Sequence, residues 1–212
     1  MEPDAVEIRV VGCLVEKQRT TPDVYPLTLN ALRLACNQAT NRDPVVDYDE
    51  NTIRGAIDRL VQRKWATLAS WSNRRSMKYR HTLDGALGLD DAEMAVLDVL
   101  MLRGAQTPGE LKTRTERLHR FADMEELGET LERLIERQLM MRLDRRPGQR
   151  EERYRHLLGG GELPEGEEQS TTRVAAPSRA ATDGVEQRLE RLEGEVAELR
   201  AELRTLREQR PG

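Results

Sequence analysis

A Tyr-Arg-His triplet occurs twice in this chain, as Tyr79-Arg80-His81 and as Tyr154-Arg155-His156. The residues before the two triplets also resemble each other. The upstream pairs are Arg59 to Trp65 with Arg133 to Leu139, and Thr21-Pro22 with Thr107-Pro108. Such repetition predicts two copies of one structural unit. A helix that runs into an arginine-bearing hairpin is typical of a winged helix-turn-helix, which therefore becomes the working hypothesis.

The predicted fold class is α+β and mainly α. We expect two tandem winged helix-turn-helix domains at 1–84 and 90–158, then a flexible linker at 159–184 and a coiled-coil helix at 185–210. A chain of 212 residues is long enough for two small domains. Aromatic residues make up 3% of the sequence, so the cores must be small and aliphatic.

The charge balance does not favour nucleic acid as a partner. Charged residues make up 34% of the chain, yet the net charge is -4 and the two signs are interspersed. Because phosphates are bound mainly by cations, any contact with DNA has to come from local basic patches.

Several features predict a cytoplasmic protein. The first residues do not form a signal peptide, and no apolar run approaches the roughly 20 residues that span a membrane. Cys13 and Cys36 lie among apolar residues and outside any Cys-x-x-Cys pair, so we expect buried free thiols.

The first module is predicted to contain three helices. Asp4 and Asp49 are candidate N-caps of the first and third helices, at about 5–18 and from residue 50. A second helix at about 28–37 is expected to bury Leu29, Leu32 and Cys36. The polar stretch at 37–44 makes this module longer than the second. Either a functional loop or a plain connection explains it.

The candidate DNA contacts lie on the third helix and on the hairpin. Strands are predicted near 66–71 and 76–82, and their connection is the most basic local patch of the chain. Such cations could contact phosphates or a minor groove, although a solvated hairpin tip explains them equally simply. The DNA-binding residues under this hypothesis are Asn51, Arg54, Arg63, Arg74, Arg75, Lys78 and Arg80.

Longer motifs resemble those of the YceH-like family of bacterial proteins. They are Glu16-Lys17-Gln18, Thr20 to Asp23, Tyr25-Pro26-Leu27, Ala35 to Gln38, Thr40-Asn41-Arg42, Pro44-Val45 and Leu102 to Leu111. The similarity covers most of the chain, including the C-terminal heptads. It implies a tandem winged-helix fold and provides no catalytic or ligand-binding residues.

The third helix of the second module is predicted to be a poor reader of DNA. Asp90 or Asp91 is expected to cap this module's first helix, which should end near Arg103. Thr107 should cap the second, which buries Leu111 and Leu118. The third follows Asp123, and its exposed face carries Glu125, Glu126, Glu129, Glu132 and Glu136. Phosphates would be repelled there, so this face suits a protein partner better.

We do not expect an enzyme, a cofactor or a metal. The three histidines and two cysteines are scattered and do not have the spacing of zinc ligands. The sequence contains no glycine-rich phosphate loop, nucleophile elbow or carboxylate pair at catalytic spacing. His81 and His156 occupy equivalent positions, which indicates packing.

The C-terminal segment has the pattern of a coiled coil. Leu189, Val196 and Leu203 fall at a positions, and Leu192, Leu199 and Leu206 fall at d positions. The g and e residues have opposite signs in a parallel pairing, so we predict a parallel, in-register homodimer through these six residues. A lone amphipathic helix and a trimer remain alternatives.

Two functions follow from these observations. The first is a DNA-binding regulator, a dimer that contacts double-stranded DNA through its first module. The second is an adaptor that holds a protein at the acidic third helix of the second module, without binding DNA. No membrane partner is expected.

Overall fold

The computed structural model describes residues 2–69, 77–143 and 151–159. Both hairpin tips, including Arg74 and Arg75, lie outside the described residues, as do the predicted linker and the whole heptad segment. The described chain is a mixed α+β structure and mainly helical, in agreement with the coarse class predicted from the sequence.

The first module consists of three helices followed by a hairpin. Its elements are α1 (Ala5–Thr20), a 3-10 turn (Pro22–Val24), β1 (Leu27–Thr28), α2 (Leu29–Cys36), α3 (Glu50–Gln62), β2 (Ala66–Ala69) and β3 (Lys78–His81). A short helix, α4 (Leu83–Leu87), leads to the second module.

The second module repeats the order of three helices and a hairpin, with shorter connections between its helices. Its elements are α5 (Asp91–Arg103), α6 (Pro108–Thr115), α7 (Met124–Glu136), β4 (Met140–Leu143) and β5 (Arg153–His156). The helices α3 and α7 both contain 13 residues, which brings Arg59 and Arg133 to the same place in the two modules.

Polar caps set where the helices begin, as predicted. Asp4, Asp49, Asp90, Thr107 and Asp123 each accept a hydrogen bond from a backbone N–H of the first helical turn, which would otherwise have no partner. The predicted burial was not confirmed at every position. Leu29 is only partly buried, and Leu118 lies beyond the end of α6 and is also partly buried.

Strand β3 is the centre of a three-stranded antiparallel sheet. It pairs with β2 on one side and with β1 on the other, where Leu27 lies opposite Tyr79. The second module has a hairpin of β4 and β5, and Gln106 forms a single bridge to Tyr154 at the place of β1. This register corrects one predicted equivalence: Thr107 follows that bridge as Thr28 follows Leu27, so Thr107 corresponds to Thr28 and not to Thr21.

Helices α1 and α5 pack against each other and join the two modules. Both modules lie in one compact unit that ends at Gly161. Every residue of α5 from Ala92 to Leu102 is buried, including Glu93 and Asp98. Gly12 of α1 faces Leu102, so closely that a Cβ at Gly12 would lie 2.9 Å from Leu102 Cδ2.

The polar loop after α2 is held by a buried arginine. Arg42 is 6% exposed, and its Nη2 donates to Glu16 Oε2 at 2.6 Å and its Nε to the Ala35 carbonyl at 3.1 Å. The loop also reaches the second module, because the Asp43 N–H donates to the Leu102 carbonyl at 2.9 Å. We conclude that this loop connects the two modules as well as α2 and α3.

Candidate nucleic-acid interface

Helix α3 presents a polar face because its opposite side is buried. Ile53, Ile57 and Leu60 are fully buried against the neighbouring helices. Asn51 and Arg54 lie on the exposed face, as the helical period requires. Two of the predicted DNA-binding residues therefore share one accessible surface.

The Arg54 guanidinium forms an ion pair with a carboxylate on its own helix. Its Nη2 lies 2.8 Å from Glu50 Oε1, and the two side chains are 46% and 53% exposed. An exposed pair at this helical spacing contributes roughly 0.3–0.5 kcal/mol. If Arg54 left Glu50 to pair with a DNA phosphate, the loss of the Glu50 pair would therefore cost little free energy.

The C-terminal turn of α3 is occupied by a structural ion-pair network. Arg59 pairs with Asp4 at 2.6 Å and with Glu7 at 3.1 Å, and Arg63 lies 3.5 Å from Glu7. The Glu7 side chain is 3% exposed, so both arginines compensate a buried carboxylate. We call Asp4, Glu7, Arg59 and Arg63 the first clamp. Arg63, a predicted DNA contact, thus has a role in the fold.

The second module contains the same arrangement. Arg133 lies 3.4 Å from Asp90, and Arg137 lies 2.8 Å from Glu93. These four residues form the second clamp. Sequence reasoning missed both clamps, although a signal exists: each module's first helix begins Asp-x-x-Glu, and each third helix ends Arg-x-x-x-Arg.

The first hairpin separates its cations from its buried residues. Tyr79 and His81 alternate with Lys78 and Arg80 along β3, and the first two are buried. Lys78 pairs with Ala69 at the end next to the hairpin tip, whereas Arg80 pairs with Thr67 near the base. Lys78 therefore lies beside the segment that carries Arg74 and Arg75, and Arg80 does not.

Tyr79 anchors the sheet beside α3. Burial raises the pKa of the Tyr79 hydroxyl, the Asp58 carboxylate raises it further, and the Arg54 guanidinium lowers it. Both charged groups belong to the exposed face of α3. The inner face of the hairpin and the candidate reading helix are thus neighbours.

The corresponding face of the second module is acidic. Helix α7 carries five glutamates and one arginine, whereas α3 carries two acids and two arginines. Arg142 of β4 pairs with Glu132 at 2.6 Å and lies over the Tyr154 ring at 5.7 Å. Where α7 has Glu125, Gly128, Glu129 and Glu136, the equivalent positions of α3 carry Asn51, Arg54, Gly55 and Gln62.

The recurrent histidines pack within the hairpins, as predicted. His81 lies opposite Ala66 and His156 opposite Met140, the first strand residues of the two hairpins. Burial lowers the pKa of His81, and it lowers that of His156 to about 4. Both rings are therefore mostly neutral near pH 7.

The remaining polar groups do not form a metal centre in the part of the chain that is described. There, no group of three or more His, Cys, Asp or Glu side chains has the arrangement to hold an ion. Cys13 and Cys36 are buried free thiols, as predicted. None of the described helices is long and apolar enough to cross a membrane.

Comparisons with known proteins agree with the resemblance seen in the sequence. Residues 4–149 match the family "Protein of unknown function, DUF480". The chain is 44% identical to the UPF0502 protein YceH of Salmonella paratyphi C (strain RKS4594), over 97% of this chain and 96% of that protein. The YceH proteins of Salmonella choleraesuis (strain SC-B67) and Salmonella newport (strain SL254) match with the same identity and coverage.

Proposed function

This chain belongs to the DUF480 family, and we propose that it is a non-enzymatic DNA-binding homodimer that contacts DNA mainly through its first module. In this proposal each module is a winged helix-turn-helix, with α3 or α7 as the third helix and the hairpin as the wing. The order of helices and strands, and the short strand β1 beside β3, support that assignment.

The contrast between α3 and α7 carries the proposal. The two helices have the same length, caps and clamp, so the fold does not require the residues by which their exposed faces differ. Helix α3 presents Asn51 and Arg54 where α7 presents Glu125 and Gly128. An amide and a guanidinium can bond to base edges and phosphates, whereas a glutamate row repels the phosphate backbone.

The hairpin adds positive charge next to this face. Lys78 lies at the tip end of β3, and the sequence places Arg74 and Arg75 in the adjoining tip. We propose that these three cations contact phosphates or a minor groove beside the groove that receives α3. The proposed interface therefore comprises Asn51, Arg54, Lys78, Arg74 and Arg75.

A salt titration with random duplex DNA tests this proposal. Binding of the full chain should weaken steeply as salt rises, and Arg74→Ala/Arg75→Ala should reduce the slope of log affinity against log salt by about two. Arg145→Ala/Arg146→Ala, in the second hairpin tip, is the matched control and should have a smaller effect. No detectable binding at low salt would remove the DNA-binding function. Equal losses from both pairs would contradict the assignment to the first module.

The acidic face of α7 favours a second candidate, an adaptor that binds a basic protein. Glu125, Glu129 and Glu136 are exposed, and Met124 beside them is 47% exposed. A triple Glu→Lys variant at these glutamates should abolish capture of such a partner and leave DNA binding no weaker. The adaptor function is favoured if the full chain binds no DNA and this variant alone loses a partner.

Self-association through the heptads completes the proposal. Sedimentation of the full chain should give a dimer, and Leu199→Lys, which places a charge at a d position, should give a monomer. A monomeric segment 183–212 at high concentration would contradict a coiled-coil dimer. A trimeric mass would support the alternative assembly.

A further inference from the structure

A groove lies at the base of the first hairpin, away from the proposed DNA interface. Its volume is about 650 Å3, and it is bounded by the turn after α3, the strands β2 and β3, and α4. Because Ala66 pairs with His81 at one end of the hairpin and Ala69 with Lys78 at the other, the groove lies at the Ala66 end.

The lining of this groove is cationic. Arg63, Lys64 and Arg80 all contribute to it, and no carboxylate is among its lining residues in the described chain. Lys64 and Arg80 are exposed, and within residues 2–69, 77–143 and 151–159 neither forms an ion pair. The groove therefore offers two cations to an anion from solution. Asp84 is the neighbouring acid, and it lies 3.7 Å from His81.

An aromatic ring lies beside these cations. Trp65 lines the groove and is partly exposed, and the Arg63 guanidinium carbon is 5.5 Å from its ring centroid. Thr67 and Thr82 add hydroxyl groups, although the Thr82 hydroxyl already donates to the Lys64 carbonyl at 2.8 Å. A flat ring next to cations and hydroxyls suits a ligand with an aromatic part and an anionic part.

The second module shows which of these residues the fold does not need. Lys64 and Gln138 occupy the same turn position, with φ angles of 63° and 55°. The backbone bond from Thr82 N–H to the Trp65 carbonyl recurs from Leu157 N–H to the Leu139 carbonyl. Lys64, Trp65, Thr67 and Thr82 thus correspond to Gln138, Leu139, Met141 and Leu157. The same backbone forms with uncharged and aliphatic side chains, so the fold itself does not require the side chains of the first set.

We propose that this groove binds a nucleotide, with its phosphates between Lys64 and Arg80 and its base against Trp65. The volume lies in the range of about 300–1,000 Å3 that is usual for small-molecule sites and exceeds what an inorganic anion would fill. Lysine and arginine are the usual phosphate-binding side chains. The site is independent of the proposed DNA contact, because it uses neither Asn51 nor Lys78.

Tryptophan fluorescence of the full chain tests the proposal. The chain has two tryptophans, so Trp71→Phe leaves Trp65 as the sole reporter. In this background ADP, GDP and UDP are titrated, with adenosine and inorganic phosphate as partial ligands. At least one nucleotide should quench Trp65 saturably, and both partial ligands should bind more weakly.

Two variants and one control assign the phosphate contacts. Lys64→Gln introduces the residue that the second module has at this position, so the fold should tolerate it. Lys64→Gln and Arg80→Ala should each weaken nucleotide binding about tenfold, the usual effect of losing a charge-assisted bond, with little change in Tm. Arg155→Ala, at the equivalent position of the second module, should leave the affinity unchanged.

Several results would overturn the nucleotide site. They are no saturable quenching by any of the three nucleotides, equal affinity for adenosine and ADP, or unchanged affinity in both Lys64→Gln and Arg80→Ala. A fourth such result is that duplex DNA quenches Trp65, none of the nucleotides does, and Lys64→Gln and Arg80→Ala each abolish the quenching. That result would assign the groove to DNA. The salt titration with the Arg74 and Arg75 variant reports on the DNA interface separately, so either proposal can fail without the other.

Discussion

Replacing Gly12 by alanine tests how closely the two modules are packed. An added Cβ would lie 2.9 Å from Cδ2 and 3.1 Å from Cγ of Leu102, and 3.4 Å from Cβ of Met101. Leu102 is 3% exposed and is surrounded by the other buried residues of α5. Because the shortest of these distances is too short for a real Cβ, the two helices must separate slightly or the Leu102 side chain must change its rotamer.

Two opposing contributions set the size of the effect. Overpacking of a well-packed core costs about 1–3 kcal/mol. The higher helix propensity of alanine returns about 1 kcal/mol. We therefore expect Gly12→Ala to lower the free energy of unfolding by about 0–2 kcal/mol, and each kcal/mol lowers Tm by about 2–4 °C in a chain of this size.

Gly128 provides the matched control. It also lies inside a helix, α7, but an added Cβ there would meet nothing within 4 Å. Gly128→Ala should therefore raise the free energy of unfolding by about 1 kcal/mol. Urea denaturation of both full-length variants measures their free energies of unfolding. The two changes should differ by about 1–3 kcal/mol, which is the cost of overpacking alone, because the gain in helix propensity is common to both substitutions. If both substitutions stabilise equally, α1 and α5 do not meet at Gly12 and the reasoning is wrong.

Three further predictions concern the buried polar groups. Arg42→Ala should lower the free energy of unfolding by about 3–5 kcal/mol, because Glu16 loses its buried partner; a urea midpoint near that of the wild type would contradict this. Burial raises the pKa of the Asp98 carboxyl well above its usual range, so the folded protein should lose stability as pH rises from about 3.9, the value for an exposed aspartate, through the folded pKa. Thermal scans across this pH range should show the loss in the wild type and not in Asp98→Asn. Identical curves of Tm against pH for the two proteins would refute the assignment of this pH dependence to Asp98. Cys13 and Cys36 are fully buried, so a thiol reagent should modify neither in the folded chain and both in guanidinium chloride; rapid modification of the folded chain would show that they are accessible.

Local chemistry made the helix starts predictable from the sequence. Asp4, Asp49 and Thr107 are short polar residues that precede an apolar helical period, and each caps a helix in the structure. The repeated triplet correctly indicated that Tyr79 and Tyr154 are equivalent, since each pairs with the residue before a helix cap. These signals lie within a few residues of the feature that they predict.

The features that the sequence did not reveal depend on distant partners. Strand β1 has two residues, too few for a period, and it exists because β3 pairs with it. Helix α5 is buried on all sides, so its pattern does not indicate which neighbours surround Asp98. Arg42 looks like a solvated loop residue, and its bond to Glu16 joins positions separated by 26 residues. The groove beside Lys64 likewise requires the tertiary fold.

The two clamps make the outward positions of the third helices exchangeable. In each clamp, two arginines at the C-terminal end of the third helix pair with two acids at the start of the module's first helix. None of these residues belongs to the set by which α3 and α7 differ. Evolution could therefore change one face after a duplication without redesigning the core. A protein engineer has the same freedom: a chimera that carries the outward residues of α3 on α7 should fold as the parent does and present two similar exposed faces on one chain.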